Sequence, residues 1–196
     1  MTKTEVYNNI KYNENLVSQY QRTISSLQNR ISSLNSQINN WNSQISSSNS
    51  RKKQLQSQIS ELSKLKSKYK TLQDNFASRQ SNRSNKLSLN FLGKASAFKF
   101  LSSYALGMKS LLTGSEYKSA YNGLSSAMET IAKKIKAIQS EVDSIAQDIS
   151  SKQRSIAANQ NEIRTTRSRL NQTNNDLAYR KRRITYWRNQ LQYATN

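Results

Sequence analysis

The side chains best equipped for chemistry in this chain are carboxylates and cations. Glu141, Asp143 and Asp148 lie close together, and paired carboxylates can do general acid–base work. They fall on a helical stretch with no predicted cleft around them. They also lack the glycine-turn spacing of a calcium loop. The 196 residues include no His and no Cys. Imidazole and thiolate nucleophiles, the usual zinc ligands and disulfides are therefore all excluded. The four glycines, Gly93, Gly107, Gly114 and Gly123, stand apart, so no phosphate-cradling loop is present. The expectation is a non-enzyme with no catalytic residue, no cofactor and no metal site, one that works by binding.

The cations point to what could be bound. Thirty-one Lys and Arg against 11 Asp and Glu give a formal charge of +20. Residues 51–70 hold Arg51, Lys52, Lys53, Lys64, Lys66, Lys68 and Lys70 against Glu61 alone. Residues 152–188 hold ten cations against Glu162 and Asp176, including the run Arg180, Lys181, Arg182, Arg183. Charge of this size attracts phosphate, anionic lipid or an acidic protein. Four consecutive cations spread around a helix instead of lining one face, and no DNA- or RNA-binding motif accompanies them. A polyanion site without sequence preference, built on Arg51, Lys52, Lys53 and Arg180–Arg183, is one expectation.

The elements that must position these groups are set by a period of 3.5. From Val6 the d series runs Val6, Asn13, Tyr20, Leu27, Leu34, Trp41, Ser48, Leu55, Leu62, Tyr69, Phe76. The interleaved a series runs Ile10, Val17, Ile24, Ile31, Ile38, Ile45, Lys52, Ile59, Lys66, Gln73. A second a series, from Tyr121 to Leu191, is apolar or aromatic at every position. Its d series starts apolar and turns polar at Lys152, Asn159, Thr166, Thr173 and Arg180, recovering at Trp187. Sustained heptads of this kind predict coiled coil. With no Pro and four Gly, little interrupts either arm. The expected fold is all-α: a long antiparallel coiled-coil hairpin, with a first arm at 1–80, a bend at 81–114 and a second arm at 115–196. Each arm would be roughly 115 Å long. Trp187 would sit near Tyr7 and Ile10. The alternative is a continuous dimeric rod, which Ile at a and Leu at d also favour.

The bend breaks the heptads. Ser81–Lys86 is polar and turn-like, and apolar residues then crowd between Leu87 and Leu112. Phe98, Leu101, Ala105, Met108 and Leu112 fall on one helical face, so a short apolar helix is expected there. Phe98, Leu101 and Met108 are the expected partner-binding patch. No acid occurs between Asp74 and Glu116, so an anionic membrane surface could also be met through 87–112. Gly114 and Ser115 then offer a stop and a fresh N-cap. The first 30 residues have no apolar core of a signal peptide, and no stretch is a simple membrane span, so a cytoplasmic location is expected.

The turn tripeptide Leu112-Thr113-Gly114, set between two amphipathic arms, resembles the helix–(W or L)-x-G–helix hairpin of the WXG- and LXG-type proteins of type VII (ESX-like) secretion. The stretch that follows, with Ile131, Ile135 and Ile138 in heptads, resembles small helical partners of LXG effectors. The likeness spans about residues 90–160. It implies a bacterial protein, a turn formed by Leu112 and Gly114, and a partner or chaperone role exercised by helix-on-helix packing. It also implies export that needs no signal peptide. The chain departs from the pattern in having Leu in place of Trp at the turn, and Tyr179 is followed four residues on by Arg183 where the export signal has an acid. The partner expected is another helical protein, acidic by charge complementarity, or a second copy of the chain. Nucleic acid and membrane are the alternatives.

Overall fold

A computed structural model describes residues 1–90, 107, 108, 110 and 114–195, with side chains described as far as Asn85 in the first helix. Two long helices, α1 (Lys3–Asn90) and α2 (Ser115–Gln190), pack antiparallel as a hairpin, and a single 3₁₀ turn, Leu191–Tyr193, follows. The direction is visible in cross-helix pairs, where the number rises along α1 as it falls along α2. Glu14 meets Arg188, Arg30 meets Glu162, and Arg51 meets Glu141.

The start of α1 is a reciprocal capping box. The Thr2 hydroxyl accepts the Glu5 backbone N–H at 3.3 Å, and the Glu5 carboxylate accepts the Thr2 N–H at 2.8 Å. Two donors that a helix start leaves unpaired are satisfied in this way. At its other end α1 runs on to Asn90, through the Ser81–Lys86 stretch where the sequence predicted a turn. That segment contains no Pro or Gly, and polar Ser, Asn and Arg cost a helix only tenths of a kcal/mol each. Loss of the heptad therefore ends the seam without ending the helix. α2 begins at Ser115 with Glu116 in its first turn, and the Gly114 carbonyl accepts the Lys118 N–H, so the N-cap falls on Gly114, one residue before the Ser115 expected. Most of the expected bend helix, with Phe98, Leu101 and Leu112, lies outside the described residues.

The chain divides into two compact units at Ser48, where the first seam turns polar. The first comprises Met1–Ser48 with Gln147–Asn196. Its core joins Val6, Ile10 and Ile184, with Val17, Trp187, Leu191 and Ala194 packed against them. Trp187 reaches Ile10's cluster as expected, whereas Tyr7 stays exposed. The polar d positions of α2 acquire partners. Asn159 donates to the Gln37 side-chain carbonyl at 3.0 Å, and Arg180 donates to Asn13 Oδ1 at 3.4 Å. Thr166 is buried, and Lys152 pairs with Asp148 one turn back. Beyond the 3₁₀ turn the Thr195 carbonyl accepts the Lys3 N–H at 3.0 Å, tying the two termini together.

The second unit comprises Asn49–Ala146. Its core joins Leu55, Ile138 and Val142, flanked by Ile59, Leu62 and Ile145. Further along, Phe76 stacks on Tyr117 with ring centroids 4.9 Å apart. Gln73, at an a position, is 4 % exposed. Its amide donates to Ser125 Oγ at 2.6 Å, and Ser125 Oγ in turn donates to the Tyr121 carbonyl. A buried polar group held this way stays satisfied.

Candidate functional site

An a/d seam should leave its flanking positions polar, yet in the second unit large apolar residues stand in the open. Leu65 is 42 % exposed, Leu72 55 % and Phe76 36 %. Leu65 and Leu72 are g positions, each one residue before a polar a residue, Lys66 and Gln73. Where the a series turns polar, the apolar stripe of α1 rotates from a/d toward d/g. The result is an apolar edge beside the seam.

The facing edge of α2 follows from the same register. In an antiparallel pair g positions meet g positions, as Arg51 and Glu141 do. The next g residues along the edge bring Gln58 and Leu65 together with Lys134. With Glu61, Leu62 and Ile138 they line an open groove of about 320 Å³. Leu72 then lies on the side that carries Ala127 and Ala120, with Gly123 between them. A Cβ built on Gly123 would meet nothing within 4 Å, so open space lies above it. The α2 side of this edge thus carries small residues, opposite the leucines of α1.

The cations placed by sequence do not gather on one face. Arg51 is held by Glu141 at 3.1 Å, Lys52 is half-buried in the seam, and Lys53 is exposed. Arg180 and Arg183 lie against aromatic rings, while Lys181 and Arg182 project to solvent. Of the expected partner patch, Met108 is half-buried, and Phe98 and Leu101 lie outside the described residues. Of the expected turn motif, Gly114 sits in a bend before α2.

Ion pairs decorate both units at the surface. The Arg30 guanidinium, 2.7 Å from Glu162, holds that carboxyl below the usual carboxylate range through their hydrogen bond. Lys133 does the same to Glu129, one turn away. Asp74 raises Lys70. All of these groups are exposed, so their worth to stability is small. Among the described residues no cluster of three or more acids could hold a metal ion, and no helix is long and apolar enough to cross a membrane.

In comparisons with known proteins, no family model matches the chain, and no curated protein or solved structure matches it either.

The sequence reading missed the Leu65–Leu72–Phe76 edge. Its signal was present: two leucines seven apart, each one place ahead of a polar a residue. Thr2-x-x-Glu5, a capping-box pattern, was also there to be read.

Proposed function

We propose that this chain is a non-enzymatic helical binding protein, and that an acidic amphipathic helix packs on the edge formed by Leu65, Leu72 and Phe76. The observation that carries this reading is the exposure of two leucines at g beside a wall of Ala and Gly. A side chain as large as leucine contributes about 1.5–3 kcal/mol when taken from full exposure to full burial, and the exposed parts of Leu65, Leu72 and Phe76 together leave little more than one such increment for a covering helix to gain. The charge of the unit supports an acidic partner. Residues 49–90 carry ten cations against Glu61 and Asp74, and residues 115–146 are balanced.

The likeness to WXG- and LXG-type hairpins fits the same mechanism, in which one helical hairpin lies alongside another. On that reading the chain is a partner or chaperone of a type VII secretion effector. It would hold the effector in the cytoplasm before export by a route that needs no signal peptide.

The test is a titration with a labelled peptide of about four heptads, leucine at a and d and glutamate at e and g. Leu72→Asp should weaken binding by at least about tenfold, the equivalent of 1.4 kcal/mol. A lysine version of the peptide should bind more weakly than the glutamate version. Equal binding by wild type and by Leu65→Asp and Leu72→Asp variants would remove the edge from the mechanism.

A further inference from the structure

The first unit carries a second surface of different chemistry. Tyr179, Tyr186 and Tyr193 recur every seven residues, which sets them on one side of the chain's last turns. They are 48 %, 47 % and 80 % exposed. Arginines stand among them. Arg180 lies 5.3 Å from the Tyr179 ring centroid and 6.0 Å from that of Tyr12 on α1, itself 58 % exposed. Arg183 lies 5.0 Å from the rings of both Tyr186 and Trp187. The Trp187 indole N–H is buried there without a hydrogen-bond partner.

Arginine held against a ring keeps its charge while its position is fixed. The acids nearest in sequence are engaged elsewhere. Glu5 caps α1, Glu14 pairs with Arg188, and Asp176 accepts from Gln172. Cations set beside partly exposed rings are the two components of a single-strand site: phosphates meet the cations and bases stack on the rings. Lipid is a poorer fit, because the exposed rings of this unit are tyrosines and, among its described residues, no Leu, Ile or Phe is exposed to enter a bilayer.

We infer that the surface of Tyr12, Tyr179, Tyr186, Tyr193, Arg180 and Arg183 binds single-stranded nucleic acid without reading its sequence. This site is separate from the helix-docking edge and does not depend on it.

The test is fluorescence anisotropy on the full chain with labelled oligo-dT of about 20 nucleotides. Inorganic polyphosphate and anionic phosphatidylglycerol vesicles serve as parallel probes. Oligo-dT should bind at about 50 mM salt and lose affinity steeply by about 200 mM. Tyr179→Ala and Tyr186→Ala should each weaken oligo-dT by about fivefold or more while leaving polyphosphate binding unchanged. Tyr179→Phe and Tyr186→Phe, which keep the ring, should restore it. Arg183→Gln should weaken both oligo-dT and polyphosphate. Leu72→Asp should leave oligo-dT binding intact, which separates failure here from failure of the docking edge. No binding at low salt would overturn the inference. So would a Tyr179→Ala, Tyr186→Ala double variant that binds oligo-dT like wild type, or vesicle binding that the same tyrosine variants abolish.

Discussion

The two compact units bury the same kind of seam and differ in what they leave outside it. The first unit meets polar d residues with cross-helix partners, Asn159 with Gln37 and Arg180 with Asn13, and turns tyrosines to solvent. The second keeps its α2 seam apolar, tolerates Lys66 and Gln73 at a, and turns leucines to solvent. A polar residue in a seam can be satisfied by a partner across the pair, as Arg180 is by Asn13 and Gln73 by Ser125. In the second unit the apolar stripe also rotates to a neighbouring position, which leaves an apolar surface where the first unit has a polar, aromatic one.

The largest effects should come from the buried leucines that both units share. Leu34 and Leu55 are each 1 % exposed, and Leu→Ala at either site should cost about 2–5 kcal/mol in denaturant unfolding. Leu72→Ala, in the open, should change stability by no more than about 0.5 kcal/mol. A large loss at Leu72 would mean that it belongs to the core and not to a docking edge.

The seam polar groups should separate the units next. Asn13→Leu leaves Arg180 without its acceptor and should cost about 1–3 kcal/mol. Gln73→Leu leaves Ser125 still bonded to the Tyr121 carbonyl, so it should fall within about 1 kcal/mol of wild type. Equal costs at the two sites would erase the distinction drawn between them. Replacing Thr2 with Val should remove half of the capping box at a cost of about 1 kcal/mol.

The smallest effect is the acid response of the Arg30–Glu162 pair. The Glu162 carboxyl titrates lower in the folded chain than in the unfolded one. Its contribution is thus complete above the ordinary carboxylate pKa and fades as pH falls through the lowered value. Glu162→Gln should reduce the acid-side decline of stability relative to wild type, measured by unfolding between about pH 5 and 2. An identical slope in the variant would show that the pair does not couple to folding.

The antiparallel seam was legible because a period of 3.5 fixes which residues face inward, and Val6, Leu34, Leu55, Val142 and Ile163 are all buried where the heptads put them. The end of α1 was not legible, because losing the heptad at Ser81 removes the seam while leaving the residues able to stay helical. The docking edge was missed for a related reason. Heptad counting scores a and d, and Leu65 and Leu72 sit at g, where only the polarity of Lys66 and Gln73 flags them. The run Arg180–Arg183 was visible, but its meaning was not. Only folding shows that Arg180 and Arg183 lie against rings while Lys181 and Arg182 stay in water.

The most direct test of the docking edge is a methyl NMR titration of the leucine-labelled chain with the acidic amphipathic peptide. The expected result is that the Leu65 and Leu72 methyls shift first and together, while Leu34 stays in place. Shifts confined to the first unit, or none at Leu65 and Leu72 on saturation with peptide, would contradict it.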